Sequence, residues 1–408
     1  MNIPKLQWRL PQKCDVVVFD RFATQGILPV LCQTRHTVFE NRQSHLNIWA
    51  LLRMIACFHF SWLDYCVAYL QCTRANVVIT GVDSNPVFYR LKHRLPGVVF
   101  IAVQNGIRGS GSPRQSGDLW NALRSPNSPR PSVDIVATFG TAHSRQFREH
   151  IDCQTIEIGS SRSNAIPLSR KSGPQLRRQI ALISNFSGLP HIGLFPDGNA
   201  AETAMFLGTR QVSAREYFAA DAQVAAILAR ICQREGWDFN IVGRRNESFP
   251  SERRFFEFAC EGLPFTFIAK SFEESSYLTL DHADLVVSID STLGYEMISR
   301  GQRVLFIQAR AELLGGPESK QFSFGFPGSY PKEGPFWTSK LDLSEISSRL
   351  NSMLGLTFDQ WREASCFATS ELMVSDPNNG KLSALLNSLL APRKRQSDSV
   401  RQQIGTNL

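Results

Sequence analysis

The sequence predicts an α/β protein in which two doubly wound, Rossmann-like domains face each other across a cleft. Short runs of β-branched and aromatic residues recur along the chain, and segments with helical spacing separate several of them. This alternation is typical of a parallel sheet covered by helices. The pattern restarts at Gln179, which indicates a second sheet. A single domain with one large sheet is the alternative.

The first sheet is predicted from five runs in the N-terminal part of the chain. These are residues 15–20, 76–80, 98–103, 134–139 and 155–158. Residues 141–150, between the last two runs, have helical spacing. The longest apolar stretch, residues 46–70, is interrupted by Arg53, His59 and Asp64, which leaves fewer than the roughly 20 apolar residues that a membrane span needs. A single helix buried inside the domain is therefore expected there.

The second sheet is predicted from five further runs. These are residues 179–184, 238–243, 265–270, 285–290 and 303–308. Residues 215–240 predict an amphipathic helix that leads into the second of these strands. The polar stretch 160–178 has the composition of a crossing between domains. We therefore expect an N-terminal domain at 1–175, a C-terminal domain at 176–390 and a basic, polar tail at 391–408.

Composition and charge limit the classes of function. The chain has 408 residues, 43% of them hydrophobic, which is enough for two or three globular cores. A net charge of +8 favours an anionic partner such as a nucleotide, an acidic sugar, a phosphorylated lipid, a nucleic acid or a membrane surface. Nine cysteines without a CxxC pair or zinc-ligand spacing indicate reduced thiols. Because the N-terminus also lacks the features of a secretory signal, a cytoplasmic location is expected.

Several classes of protein lose support because their motifs are missing from the sequence. No Ser-His-Asp order, P-loop, HExxH or GxGxxG stands in the chain, which argues against serine hydrolases, P-loop NTPases, zinc proteases and nicotinamide dehydrogenases. Basic residues are scattered rather than arranged in a stripe, and the sequence has no aromatic and basic RNP-like pattern. A nucleic-acid partner is therefore not expected.

The candidate site is sought after each strand, because ligands of open α/β sheets lie beyond the carboxyl ends of the strands. Asp290, Ser291 and Thr292 stand where a predicted strand gives way to a helix. Hydroxyls and free backbone N–H groups at a helix start can cradle a phosphate, and Glu296, one turn further, can accept two hydrogen bonds from a ribose diol. An ordinary N-cap is the alternative. The predicted nucleotide-binding residues, here called the nucleotide motif, are Ser288, Ser291, Thr292 and Glu296.

Cations follow two other strands of the second sheet. Arg244 and Arg245 come after the run 238–243, and Lys270 ends the run 265–270. If the sheet is wound as predicted, these side chains face the same edge as the nucleotide motif and suit a phosphate or an acidic sugar. Solvated surface charge is the alternative.

An amide pair and an arginine follow the third strand of the first sheet. Gln104, Asn105 and Arg108 can bind sugar hydroxyls or a carboxylate, and a simple Asn-Gly turn is the alternative. The Gly-, Ser-, Pro- and Arg-rich loop at 110–131 is either a mobile lid or a disordered insertion.

Several segments together resemble a bacterial surface-carbohydrate biosynthesis family. They are QNGIRG (104–109), IEIGSSRSN (156–164), IALISNF (180–186), the helix and IVGRR unit ending at Arg245, SIDSTLGYEMISRG (288–301) and FGFPGSYPKEGPFWT (324–338). The family includes retaining β-Kdo transferases of the GT-B type, which build capsule linkers or cap O-antigen chains. The similarity covers about residues 76–340, and SIDSTLGYE and GPFW are its most distinctive parts.

The resemblance implies a donor and an acceptor. The nucleotide motif in the C-terminal domain is expected to bind the CMP moiety of CMP-β-Kdo, while a glycan or glycolipid acceptor enters near Gln104, Asn105 and Arg108. Kdo carries a carboxylate on its anomeric carbon, so the cations after the second-sheet strands are expected to hold it. CMP has one phosphate and the chain has no DxD pair at a strand end, so no essential metal or other cofactor is expected.

The resemblance also implies retention of configuration through an aspartyl-sugar adduct. Asp221 is the best match for the nucleophile and Asp197 is its competitor, while Glu157 is the companion carboxylate that acts on the acceptor hydroxyl. Trapping of the anomeric centre by a carboxylate, followed by displacement by the acceptor, gives two inversions.

Two other functions stay open at the level of sequence. Another transferase that uses CMP- or CDP-activated donors, such as a sialyl- or glycerophosphotransferase, would have the same architecture. A non-catalytic basic binding protein is the second alternative. The basic tail is compatible with peripheral contact with the inner face of the cytoplasmic membrane.

Overall fold

The computed structural model describes residues 5–40, 45–58, 60–109, 120, 123, 129–169, 177–186, 204–207 and 210–391. Within them, two six-stranded sheets form the centres of two Rossmann-like domains. The predicted domain boundary at residue 175, Asp197, most of the 110–131 loop and the tail from residue 392 lie outside the described residues.

The first sheet is parallel throughout. The strands of this part of the chain are β1 (Lys5–Gln7), β2 (Val16–Phe19), β3 (His36–Phe39), β4 (His45–Asn47), β5 (Val77–Thr80), β6 (Val99–Val103), β7 (Ser132–Thr138) and β8 (Asp152–Glu157). The sheet has the order β3-β2-β5-β6-β7-β8, and β1 pairs separately with β4. The five predicted strands are confirmed as β2, β5, β6, β7 and β8.

The second sheet is also parallel. The remaining strands are β9 (Gln179–Ile183), β10 (Ala204–Leu207), β11 (Arg210–Ser213), β12 (Asp238–Val242), β13 (Thr266–Ile268), β14 (Leu285–Ser288), β15 (Val304–Ile307) and β16 (Trp337–Thr338). The order β13-β12-β9-β14-β15-β16 is that of a dinucleotide-binding Rossmann sheet, while β10 and β11 form an antiparallel hairpin. The predicted strands are confirmed as β9, β12, β13, β14 and β15.

Helices connect the strands and cover the sheets. The α-helices are α1 (Ile48–Ala56), α2 (Trp62–Thr73), α3 (Phe88–Arg94), α4 (Thr141–His150), α5 (Ser161–Asn164), α6 (Ala214–Glu235), α7 (Pro250–Ala259), α8 (Ser275–Asp281), α9 (Thr292–Ser299), α10 (Ala309–Leu314), α11 (Leu343–Gly355), α12 (Phe358–Glu371) and α13 (Gly380–Leu390). Among the described residues, 3₁₀ helices lie at Leu28–Leu31, Pro317–Phe322 and Pro377–Asn379. The predicted helix at 141–150 is confirmed as α4. The one predicted at 215–240 is confirmed as α6, which ends at Glu235, while residues 238–240 begin β12.

The central strands are buried on both faces, which is why they consist of unbroken apolar runs. In β2, Val17 and Phe19 point into one core, and Val16 and Val18 point into the core on the other face. Every residue of β5, β14 and β15 is likewise buried. Within the two six-stranded sheets, the strands that the sequence missed are β3 and β16, which lie at sheet edges and are at most four residues long.

The apolar stretch 46–70 forms two helices, so the prediction of one buried helix is wrong. The chain leaves α1 through Phe58, whose φ of 56° lies in the left-handed region. α2 begins at its own N-cap, Ser61, which forms a capping box with Asp64. α2 is largely buried, whereas α1 exposes much of its apolar surface. Among the described residues, no helix combines the length and apolarity that crossing a bilayer requires.

The chain returns to the first domain at its C-terminal end. Leu382 and Leu386 of α13 belong to the core on one face of the first sheet. Just before this helix, the Asn379 side-chain amide donates to the backbone oxygens of Gly26 and Ser161, at 3.1 and 2.8 Å. Residues 380–390, assigned to the C-terminal domain from the sequence, therefore contribute to the first core.

Candidate functional site

A cavity of about 640 Å³ lies between the two domains, at the carboxyl ends of their strands. In the second sheet the strand order reverses between β9 and β14, and a crevice opens at such a switch point. Ser184 and Asn185 after β9, and Asp290 and Ser291 after β14, line this cavity. Seven of the twelve predicted site residues line it as well: Gln104, Asn105, Arg244, Lys270, Ser291, Thr292 and Glu296.

The nucleotide motif forms the start of α9. Ser291 is the N-cap, and its Oγ accepts a hydrogen bond from the backbone N–H of Leu293 at 3.3 Å. Ser288 is fully buried outside the cavity lining, and its Oγ accepts from the N–H of Ser291 at 3.3 Å. A Cβ on Gly294 would lie 2.5 Å from that Oγ. Ser288 and Gly294 therefore shape the turn, while Ser291 and Thr292 face the cavity.

Glu296 connects the two domains at the floor of the cavity. It is 7% exposed, and its carboxylate accepts hydrogen bonds from Ser160 of the first domain and from the Tyr277 hydroxyl, the latter at 2.8 Å. Burial raises the pKa of the Glu296 carboxyl above its ordinary value, although the two hydrogen bonds oppose the shift. Each carboxylate oxygen has a second lone pair, so the group can still accept from a ligand.

The cations divide into those at the cavity and those beside it. Arg244 is exposed in the lining, and the Lys270 Nζ lies 3.2 Å from Glu273. Arg162, which the sequence did not indicate, also lines the cavity and pairs with Glu273 at 2.7 Å. Arg245 lies outside the lining, with its guanidinium 5.5 Å from the centroid of the Phe249 ring. The prediction that Arg245 faces the ligand is therefore corrected.

A buried carboxylate fixes the loop that carries these arginines. Glu252 of α7 is fully buried and accepts hydrogen bonds from the backbone N–H groups of Arg244 and Arg245, at 2.9 and 3.0 Å. Ser184, after β9, donates its hydroxyl to the same carboxylate at 2.5 Å. Glu252 therefore holds the ends of β9 and β12 together at the cavity edge.

Gln104 and Asn105 line the first-domain side of the cavity. Their side-chain amides, however, already form hydrogen bonds with other groups of the protein. The Gln104 amide nitrogen contacts the Gly106 oxygen at 3.0 Å and His143 Nδ1 at 3.2 Å. Asn105 donates its amide to the Gly81 oxygen at 2.5 Å. These contacts fix the loop after β6, and the surface of this loop lines the cavity.

Arg108 is part of a structural ion pair and does not line the cavity. Its Nε lies 2.7 Å from Asp83 Oδ2, and its Nη2 donates to both the other Asp83 oxygen and Asn105 Oδ1. Asp83 is fully buried. Because Asp83 lies 25 positions earlier in the chain, local sequence does not reveal the pair. The expectation that Arg108 binds the acceptor is corrected on this ground.

Asp221, the predicted nucleophile, is buried in α6 outside the cavity lining. Its Oδ2 accepts a hydrogen bond from Arg310 at 2.8 Å, and the same guanidinium contacts Asp290 Oδ2 at 2.6 Å. Asp290 lines the cavity, and its other oxygen accepts from Asn185. Arg310 is fully buried and stacks 4.2 Å from the centroid of the Tyr217 ring. The carboxylate of this cluster that a cavity ligand meets is therefore Asp290.

Glu157, the predicted companion carboxylate, also lies outside the cavity lining. It ends β8, and its Oε1 accepts a hydrogen bond from the Ser144 hydroxyl at 2.5 Å. Ser144 in turn contacts the Thr138 hydroxyl at 2.7 Å. The structure does not bring Glu157 together with the nucleotide motif, whereas Ser160, three residues later, reaches Glu296.

Sequence reasoning gave no role to several residues that the structure brings to the site, and some of them could have been recognised from the sequence. Asp290 lies between Ser288 and Ser291 of the nucleotide motif; sequence reasoning placed it at a strand end but assigned it no role. Ser160 and Arg162 lie within the IEIGSSRSN segment at the end of β8, where the rule of strand ends applies. Arg310 lies three residues after β15, so the same rule applies to it, whereas Tyr277 lies nine residues after β13 and had no such signal. In the described part of the chain, no group of three or more His, Cys, Asp or Glu residues could hold a metal ion.

His143 supports the loop after β6, and its burial makes stability depend on pH. Burial, with a smaller contribution from the Arg108 charge, lowers the pKa of the His143 imidazole to about 3. The unfolded chain takes up this proton near pH 6.5, so the stabilisation is present above that pH and is lost as the pH falls towards 3. Between pH 7 and pH 5 the free energy of unfolding should fall by about 2 kcal/mol from this group.

The His143→Asn variant provides the comparison, because Asn can accept the Gln104 hydrogen bond and does not titrate. Urea unfolding at pH 7 and pH 5 should show a smaller loss of stability in the variant, by about 2 kcal/mol. Equal losses in both proteins would mean that His143 is protonated in the folded state.

Comparison with known proteins identifies both a family and a fold. The family model Lept_O_ant_chp1, described as "putative O-antigen biosynthesis protein", matches residues 101–390. No curated protein matches the sequence. The match spans the cavity residues from Gln104 to Phe322 and the helices that follow them.

Solved structures similar to this one have the two-domain fold with very different sequences. The wall teichoic acid polymerase TagF has 10% identity and a TM-score of 0.50, with 93% of this chain and 90% of that chain covered. A glycosyltransferase from Rickettsia africae has 8% identity and a TM-score of 0.50, covering 93% and 99%. S. aureus MnaA with UDP has 8% identity and a TM-score of 0.50, covering 95% and 97%. At these identities the likeness shows the fold, which is GT-B-like.

Proposed function

The chain belongs to the O-antigen biosynthesis family, and on this premise we propose that it is a glycosyltransferase that moves a sugar from a nucleotide donor to a glycan or glycolipid acceptor. The observation that carries the proposal is the cavity at the switch point of the second sheet. The start of α9, three cations and the three carboxylates of Glu273, Asp290 and Glu296 line this space. The similar MnaA structure contains UDP, which supports a nucleotide ligand.

The nucleotide motif supports binding of a phosphate and a ribose. Ser291 and Thr292 stand at the first turn of an eight-residue helix, where free N–H groups and the helix dipole favour an anion. Ser160 and Tyr277 orient Glu296, so that its remaining lone pairs are available to a ribose diol. A nucleotide bound in this way would touch both domains, because Ser160 belongs to the first of them.

We propose CMP-β-Kdo as the donor. Arg162, Arg244 and Lys270 line the cavity, and the acid group of this sugar needs cations of this kind. The resemblance of the SIDSTLGYE segment to the β-Kdo transferases favours this donor over sialic acid or glycerophosphate. Release of nucleotide from a panel of CMP-, CDP- and UDP-activated donors tests the choice. We expect turnover with CMP-β-Kdo, and turnover with another donor alone would reassign it.

We propose that the reaction proceeds with retention, through an adduct on Asp290. An oxygen of this carboxylate attacks the anomeric carbon while the bond from that carbon to the CMP phosphate oxygen breaks, and CMP leaves. The acceptor hydroxyl then attacks the same carbon, the bond from that carbon to Asp290 breaks, and the acceptor's proton passes to the departing carboxylate. Asp221 is less suited to the attack, because its carboxylate is buried outside the cavity lining whereas Asp290 lines the cavity.

The Glu296→Gln variant tests the nucleotide site. Glutamine keeps the shape but loses the charge and one acceptor oxygen, so we expect CMP affinity to fall about 10-fold to 100-fold in calorimetry. Glu363→Gln on the exposed surface of α12 is the matched control and should bind CMP normally.

The pH dependence of CMP binding separates a direct contact from a structural effect. Because burial raises the pKa of Glu296 above 4.5, affinity of the native protein should begin to fall at a higher pH than an ordinary glutamate would give. The Glu296→Gln variant should lack this component. Unchanged affinity in the variant would place the nucleotide elsewhere.

A further inference from the structure

Exposed apolar side chains are concentrated on one face of the first domain. Of the sixteen large hydrophobic residues exposed among the described residues, eight belong to β1, α1 and the segments that follow them. These eight, here called the apolar face, are Leu6, Trp8, Leu10, Trp49, Leu52, Ile55, Phe58 and Phe60. Phe58 is 85% exposed and Trp8 is 71% exposed. Apolar surface of this extent on a water-facing element marks a binding surface.

The apolar face is continuous, because backbone and side-chain contacts join its two segments. β1 pairs with β4, which places Leu6 opposite Leu46 immediately before α1. The Trp49 indole nitrogen donates to the Trp8 backbone oxygen at 2.9 Å. The Asn47 side chain donates to the Arg9 backbone oxygen at 2.7 Å and also caps α1. The two segments therefore form a single unit.

Helix α1 is apolar on two sides: one side packs against the core of the first domain, and the other is exposed. Ala50, Leu51 and Met54 belong to or pack against the core beneath the first sheet. Leu52 and Ile55 are three residues apart and point away from that core, each 50% exposed. A helix that is apolar on the side it exposes needs a second apolar environment. α1 is therefore built to lie between the domain and another apolar phase.

The charges around the apolar face are mainly positive. Residues 5–13 and 45–63 contain Lys5, Arg9, Lys13 and Arg53, and the bordering carboxylates Glu40 and Asp64 are each paired with a cation, Arg21 and Arg94. The four cations of these two segments are exposed. Tryptophan and basic residues beside an amphipathic helix are typical of segments that lie in the headgroup region of an anionic bilayer. A second copy docked on the same face would instead bring like charges together.

We propose that the apolar face is a docking surface for an anionic lipid bilayer, with α1 lying in the plane of the membrane. The leucine, isoleucine and aromatic side chains enter the interface, and the four cations contact the lipid headgroups. Phe39, at the end of β3, stacks on Trp62 at the start of α2, with ring centroids 6.3 Å apart. This end of α2 therefore lies at the carboxyl edge of the first sheet, the edge that lines the cavity.

Vesicle sedimentation tests the proposal independently of any sugar transfer. The native full-length protein should bind vesicles of equal parts phosphatidylcholine and phosphatidylglycerol, with a blue shift of tryptophan emission, and bind phosphatidylcholine alone at least tenfold more weakly. Added salt should weaken the binding. The Leu52→Glu/Ile55→Glu variant should lose at least about tenfold in partitioning.

Phe258→Glu is the matched control, since Phe258 is 48% exposed on α7, away from the apolar face. It should partition like the native protein, and thermal unfolding should show that both variants are folded. Equal binding to both vesicle types, or native binding by the Leu52→Glu/Ile55→Glu variant, would overturn the proposal. Self-association of the native protein that the same variant abolishes would also overturn it, because a second copy would then occupy the face.

Discussion

The Asp290→Asn variant is expected to lose sugar transfer by a factor of about 10³ or more, the scale seen when a catalytic nucleophile is removed. Asparagine keeps the shape of the side chain and can still contact Asn185 and Arg310, but its amide does not attack an anomeric carbon. Mass spectrometry after incubation with donor should show an added Kdo unit on the native protein and none on the variant. CMP affinity should change much less than the rate of transfer.

Asp221→Asn is the matched control for this experiment. Like Asp290→Asn, it removes a carboxylate that is paired with Arg310, but Asp221 lies outside the cavity lining. We expect this variant to form the adduct and to keep more activity than Asp290→Asn. The reverse pattern, in which the adduct persists in Asp290→Asn and disappears in Asp221→Asn, would restore the assignment made from the sequence. It would also require the Arg310 pair to open during the reaction.

The Arg310→Met variant is expected to lose about 3–5 kcal/mol of unfolding free energy, because it leaves two carboxylates in the domain without their shared cation. Arg310 is fully buried and bonds to Asp221, to Asp290 and to the backbone oxygen of Tyr217. Methionine fills a similar volume, so the loss measures the missing charge more than a cavity. Urea unfolding at neutral pH gives the value.

The double variant Arg310→Met/Asp221→Asn distinguishes this explanation from a packing defect. Removing the more deeply buried carboxylate as well should recover part of the loss, because less uncompensated charge remains. The deficit of Arg310→Met should also shrink at acid pH, because burial raises the pKa of the Asp221 carboxyl and favours its neutral form. If the double variant is less stable than Arg310→Met, and if the deficit of Arg310→Met does not depend on pH, the loss of stability is caused by packing.

The central strands could be predicted from the sequence because burial on both faces demands a continuous apolar run. β2, β5, β14 and β15 have such runs. By contrast, β16 has only two residues and is a strand because it pairs with β15. The division of the apolar stretch into α1 and α2 did leave a signal, since Ser61 and Asp64 have the spacing of a capping box. This capping box was overlooked because the stretch is apolar on both sides of it.

The candidate site could be predicted where strand ends define it, and not where distant residues pair. Gln104, Lys270 and Ser291 follow strands and line the cavity. Asp221 and Arg108 are also near strand ends or helix starts, but each is held by an oppositely charged residue far away in the sequence. Local sequence gives the type of side chain and its element, whereas only the fold determines whether its charge faces a ligand or a buried partner.

The central claim is that a nucleotide binds between the two domains, on the nucleotide motif. A crystal structure of the protein with CMP measures this most directly. We predict the phosphate at the start of α9, near Ser291 and Thr292, and the ribose hydroxyls on Glu296. Nucleotide density away from this crevice, or a structure that stays empty at CMP concentrations that saturate calorimetric binding, would contradict the account.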